Sequence, residues 1–147
     1  MTTQGARRKT LLLAVALVAL MPLSACGGSS EPKNTPLDVL RAFDSALAAG
    51  DGKKACSLLT DLRRSQVNDD ASVLKQDCTS KLSGLTKPGA PEKEDVESLK
   101  SADLGSVMIT GDTAIVQVTS GSFGTSEAQL EHQENGKWRV SESAAGF

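Results

Sequence analysis

The chain has 147 residues, of which 16 are basic and 18 acidic, a formal net charge of −2. Its aromatics are few: Phe43, Phe123, Trp138 and Phe147, with no Tyr. That size suits one small domain, and the acidic, ring-poor composition excludes a nucleic-acid surface built on basic patches and base stacking.

The N-terminus carries Arg7, Arg8 and Lys9, then the apolar run Leu11–Leu20, then small residues. These are the three parts of a secretory signal peptide. The run is short for a spanning helix, which needs about 20 apolar residues, and Pro22 interrupts it. Arg7-Arg8 also faintly resembles a twin-arginine signal, but no cofactor motif follows that needs folded export. Leu23-Ser24-Ala25-Cys26 resembles the lipobox of bacterial lipoproteins. The resemblance implies that Cys26 receives a diacylglyceryl group and becomes the first residue of the mature protein. Two acyl chains suffice for stable anchoring where one does not. The expected location is the extracytoplasmic face of the cell membrane. Residues 27–34 are rich in Gly, Ser and Pro and read as a flexible tether. The organisation is then 1–25 signal peptide, 26–34 lipidated cysteine and tether, and 35–147 ectodomain. Without the three basic residues ahead of Cys26, 13 basic residues face 18 acidic ones, a net charge of −5.

With Cys26 committed to lipid, Cys56 and Cys78 remain. Disulfides persist outside the cytoplasm, so these two are expected to pair. On the chain-entropy model that closure stabilises the fold by about 3 kcal/mol. A thiol metal site is the competing reading, but it lacks a close second cysteine and a nearby His. A catalytic cysteine lacks an arguable partner, since His132 is the single His.

Thr35-Pro36-Leu37-Asp38 opens a helix: Thr35 as N-cap, Pro36 at the first position, Asp38 near the positive helix end. Leu37, Leu40, Phe43 and Leu47 form its apolar face, and Gly50 ends it. Asp51 caps a short second helix through Cys56 and Leu59, with a further turn over Thr60–Val67. Asn68-Asp69-Asp70 is expected to break that turn. Ser72 is expected to cap a third helix carrying Val73, Leu74, Cys78 and Leu82. Pro88-Gly89-Ala90-Pro91 is a clear break.

The period then changes. Leu104–Ile109 reads as a strand, Thr110-Gly111-Asp112 as a turn, and Ala114, Val116 and Val118 as one face of a second strand. Ala128 and Leu130 mark a third. Asn135-Gly136 is a strong hairpin signal and leads into Trp138 and Val140. The class is α+β, with N-terminal helices packed on a curved antiparallel sheet.

The Leu37–Gly50 helix, the Ala55-Cys56-Ser57-Leu58-Leu59 helix, Cys78 and the closing Gly136-Lys137-Trp138-Arg139-Val140 strand together resemble the NTF2-like (cystatin-like, SnoaL-related) fold. The likeness is greatest to lipid-anchored members from actinobacterial envelopes, and it extends over nearly all of residues 35–143. It implies a sheet cone with the long helix in its concave face, bordering a pocket of Phe43, Leu47, Leu130, His132 and Trp138.

No catalytic constellation accompanies that pocket. His132 shares the apolar face of Ala128 and Leu130 but reads as a half-solvated strand-end residue. Asp44 reads as a solvated helix position and Asp103 as a turn residue. Glu92, Glu94, Asp95 and Glu97 lack calcium-loop spacing and read as a solvated loop or edge. No cofactor or metal is implied. The expectation is therefore a non-enzymatic envelope domain binding an apolar small molecule or a protein partner, with homodimerisation through sheet faces open. Two alternatives stay beside it. One is a polyketide-cyclase or isomerase-like enzyme, which needs a raised-pKa acid or His132 in an enclosed pocket. The other is an accessory subunit of envelope transport, using the outer face of Thr113, Gln117, Glu127, Gln129, Glu131 and Arg139.

Overall fold

The computed structural model describes residues 33–72 and 76–146. The expected signal peptide, Cys26, most of the expected tether, Val73, Leu74 and Phe147 lie outside the described residues. Among the described residues no helix is long and apolar enough to cross a membrane.

Helix α1 (Pro36–Ala48) begins as its sequence dictates. Thr35 Oγ1 accepts from the Asp38 amide at 3.3 Å and donates to Asp38 Oδ2 at 2.6 Å. Gly50, at φ +71°, ends the segment in the left-handed region. Val39, Leu40, Phe43, Ala46 and Leu47 are buried. They pack on the inner face of a four-stranded antiparallel meander: β1 (Asp103–Thr110), β2 (Thr113–Ser120), β3 (Gly124–His132) and β4 (Trp138–Glu142). Helix α1 touches all four strands. Ala114, Val116, Val118, Ala128, Leu130 and Val140 form the facing layer, buried at alternate positions. One extra residue stands between Leu104 and Val107 in β1, and another, Ser141, in β4 opposite Gln129–Leu130, which bends the strands locally.

Beside α1 lie three more helices: α2 (Gly52–Leu58), α3 (Asp61–Ser72) and α4 (Cys78–Gly84). Helix α3 corrects the sequence reading. Asn68-Asp69-Asp70 does not break the helix, and Ser72 is itself helical within α3 instead of capping the next helix. Asp77 caps α4, accepting from the Ser80 amide at 2.7 Å. Those hydrogen bonds hold the exposed Asp77 carboxyl below its ordinary value. The correction has a physical reason. Helix α3 is polar almost all round and keeps Leu62 70% exposed, so no apolar period announces it. It is held by contacts made elsewhere: Asn68 Oδ1 accepts from the Cys78 amide at 2.7 Å, and Asp70 pairs with Lys81 at 3.3 Å. Arg64 also turns back to donate to the Cys56 and Leu59 carbonyls, which satisfies the end of α2.

Helices α2 and α4 are clipped together. Cys56 and Cys78 form the expected disulfide, with Cα atoms 6.2 Å apart. Gly52 lies so close to α4 that a Cβ there would meet the Thr79 carbonyl oxygen at 2.1 Å. The acidic run Glu92–Glu97 is not a loop: Lys93–Ser98 forms helix α5, followed by a 3-10 turn over Leu99–Ser101. Val96 and Leu99 anchor this segment in the core.

The two sheet edges differ. Leu59 bridges to Val140 and the Thr60 amide donates to the Val140 carbonyl, so β4 is covered. The outer edge of β1 carries no further strand among the described residues. At the other end of β4, Asn34 donates from Nδ2 to the Gly136 carbonyl and accepts from the Trp138 amide at 3.0 Å. The folded unit therefore includes Asn34, the last residue of the expected tether.

The disulfide closes a 22-residue separation. Cys56→Ala combined with Cys78→Ala is expected to lower unfolding free energy by about 3 kcal/mol, read from the urea midpoint. A midpoint unchanged by the double substitution counts against that role.

Candidate functional site

The residues of the expected pocket are divided between the core and the surface. Phe43, Leu47 and Leu130 are fully buried core residues packed between α1 and the sheet. Trp138 closes that core at its edge. His132 lies at the end of β3, its side chain 37% exposed. Its ring faces Trp138 at 5.0 Å between centroids, and its Nδ1 is 3.8 Å from Asp112 Oδ1. The backbone amide of His132 donates to the Asp112 carbonyl at 2.7 Å. This is a surface cluster that ties the β1–β2 turn to the strand end.

A cleft of about 570 Å3 opens elsewhere, along the flank of α1. Its lining comes from two sources. Arg41, Asp44, Ser45, Ala48 and Ala49 lie three and four residues apart, so they form one strip of helix surface. Leu99, Lys100, Ala102 and Leu104 supply the opposite wall, from the 3-10 turn into β1. Arg41, Ser45 and Lys100 are exposed, whereas Asp44, Ala48 and Leu99 are buried. The cleft thus has a charged mouth and an interior of small and branched apolar groups around one carboxyl.

Its wall is pinned from behind. Ser98 Oγ donates to the Asp95 carbonyl at 2.7 Å and lies 2.7 Å from Ser122 Oγ and 3.1 Å from Ser120 Oγ. This hydroxyl cluster ties the residue before Leu99 to the β2–β3 loop. With Leu99 and Val96 in the core, the wall opposite α1 has a fixed position.

Asp44 corrects the sequence reading. It is not on a solvated helix face: it is 6% exposed and has no hydrogen bond or ion pair among the described residues. Burial alone pushes its carboxyl up from 3.8 to about 7. Neither Arg41 nor Lys100 forms an ion pair with it, although both line the same cleft. The reason the sequence conceals this is geometric. Leu37, Leu40, Phe43 and Leu47 define the stripe that meets the sheet, and Asp44 flanks it. What covers that flank is the 3-10 turn, more than fifty residues later in the chain. The available signal was the run of small residues Ala46, Ala48 and Ala49 around Asp44, which permits close approach of a second segment.

Among the described residues, no group of three or more His, Cys, Asp or Glu side chains is arranged to hold a metal ion. No family model, curated protein or solved structure matches this chain.

Asp44 makes stability depend on pH. Its folded-state value lies above its unfolded one, so the folded chain keeps a proton between about pH 4 and 7 that the unfolded chain releases. The associated stability is fully present below about pH 4 and is lost as pH rises through 7. The loss is at most about 4 kcal/mol. Asp44→Asn is expected to remove this slope and to be more stable than the native chain at pH 8 by about 1–3 kcal/mol, measured by urea unfolding from pH 4 to 8. Parallel pH profiles for the two proteins would contradict the assignment.

Proposed function

We propose that this is a lipid-anchored protein of the cell envelope whose NTF2-like ectodomain holds a small molecule in the cleft beside α1. The observation that carries the reading is Asp44: a buried residue whose carboxyl has no protein partner and opens on a cleft of about 570 Å3. A core does not retain such a group for stability, because burying it unpaired costs free energy. Buried acids of this kind concentrate where something is bound or transformed. The cleft volume lies in the range of small-ligand sites, which span about 300–1,000 Å3. The basic n-region, the apolar run and Leu23-Ser24-Ala25-Cys26 support the anchor. The α+β order, with α1 on an antiparallel meander, supports the NTF2-like comparison.

Binding is preferred to catalysis because Asp44 has no orienting partner and no second acid, His or Tyr lines the cleft. One observation favours a second reading, isomerase- or cyclase-like chemistry. A carboxyl with a value of about 7 is matched to proton transfer near neutral pH.

The test is native mass spectrometry of the full oxidised chain isolated from the envelope. A retained small-molecule adduct is expected, lost in Ala48→Trp, which fills the cleft. Cys26→Ala is expected to release the protein from the membrane fraction with its disulfide intact. An adduct indifferent to Ala48→Trp would defeat the cleft, and a Cys26→Ala protein that still fractionates with membrane would defeat the anchor. Conversion of the bound compound, abolished by Asp44→Asn, would favour the enzyme.

A further inference from the structure

The polar groups of the cleft are ordered by depth and by sign. Asp44 is inside, buried and unpartnered. Arg41 and Lys100 are at the mouth, exposed, one from each wall. Ser45, also exposed, lies one helical turn from Arg41 on the same strip. Between them the surface is apolar: Ala48, Leu99, Ala102 and Leu104. A site with this order discriminates among simple ligands. A plain cation meets Arg41 and Lys100 before it reaches Asp44 and is repelled. A plain anion is attracted to the mouth, but its charge gains nothing from the carboxyl inside. A wholly apolar molecule leaves Asp44 buried and unpaired, so it removes none of the cost of that burial. A molecule with a positive group at one end and a negative group at the other, separated by a short apolar body, satisfies every part of the lining at once.

We infer that the cleft binds a small zwitterion, with its ammonium paired to Asp44 inside and its carboxylate or phosphate held at the mouth by Arg41 and Lys100. This inference rests on the reading of the cleft as a ligand site and names the ligand's chemistry. Ammonium and carboxylate form a charge-assisted hydrogen bond, which is stronger in a desolvated site than in water. The guanidinium of Arg41 suits the two-pronged recognition of a carboxylate or phosphate. The source is either a free amino acid-like metabolite or the aminophosphate head of a lipid, since both present the same pair of charges.

Titration follows from the same pairing. The charged groups that share the cleft with Asp44 are Arg41, beside it on α1, and Lys100, from the 3-10 turn opposite, while β1 contributes only the uncharged Leu104. Asp44 must be ionised to pair with an ammonium, so affinity for a zwitterion rises with pH up to about 7 and then levels off.

The experiment is isothermal titration of the full chain in a nonionic maltoside detergent. The probes are ω-aminocarboxylates of two to eight carbons, phosphoethanolamine, hexylamine and hexanoate. An ω-aminocarboxylate or phosphoethanolamine is expected to bind at least about tenfold more tightly than hexylamine or hexanoate, as expected for losing one charge-assisted contact. Preference for phosphoethanolamine points to a lipid head, and preference for an aminocarboxylate to a free metabolite. Asp44→Asn is expected to abolish the preference. Arg41→Gln and Lys100→Gln, both at exposed positions and harmless to folding, are expected to weaken zwitterion binding while leaving hexylamine unchanged or improved. Hexanoate binding as tightly as the best aminocarboxylate, or insensitivity to all three substitutions, overturns the zwitterion. If none of these probes binds while the envelope-isolated chain carries an adduct that Ala48→Trp removes, the zwitterion is wrong and the cleft stands. If the chain binds no probe and carries no adduct, both fail.

Discussion

Everything in this fold hangs on the contact between the apolar stripe of α1 and the inner face of the meander. Leu40, Phe43 and Leu47 are fully buried against a layer of Ala and Val with Leu130. Each large side chain so buried contributes about 1.5–3 kcal/mol relative to exposure. In a small domain with few aromatics, these residues supply a major share of what opposes chain entropy. The contact also fixes the azimuth of α1. Once Phe43 points into the sheet, Asp44 must point to its flank, and the segment before β1 must cover it. The cleft is thus a by-product of how the core orients the helix.

The sequence makes the parts with strong local codes legible. Thr35, Pro36 and Asp38 start α1, Gly50 ends it, and Asn135-Gly136 turns the last hairpin. Ala114, Val116 and Val118 point inward as their alternation requires. The pairing of Cys56 and Cys78 is expected once the lipobox resemblance sets Cys26 apart. What fails is whatever depends on distant residues. Helix α3 has no apolar period because its stability comes from Arg64, Asn68 and Asp70 reaching α2 and α4. The acidic run after Pro91 becomes helical because Val96 and Leu99 are drawn into the core. Asp44 is hidden for the same reason, since the residues that bury it belong to another part of the chain. Phe43, Leu47 and Leu130 were legible as apolar and adjacent, but periodicity does not distinguish a cavity wall from a packed layer.

Asp44 and the clipped helices balance each other. An unpaired acid weakens the fold most at neutral and alkaline pH, whereas the disulfide and the close Gly52 contact hold α2 and α4 together irrespective of that titration. Stability is therefore spread unevenly around α1. One side is covalently fixed, and the other keeps a group whose cost is relieved only when something pairs with it. That distribution is typical of a binding site carried on a rigid frame.

Asn34 has a mechanical consequence. Its side chain joins the chain ahead of α1 to the turn and first residue of β4, through the Gly136 carbonyl and the Trp138 amide. A pull arriving through Lys33 is met first at this amide, before the Thr35 cap and the first turn of α1. The two bonds act together as a strain relief, passing the load into a strand that is itself braced by Leu59 and Thr60. The long helix that builds the cleft is spared, so tugging at the N-terminus leaves the spacing of Arg41, Asp44 and Lys100 unaltered until the clasp gives way.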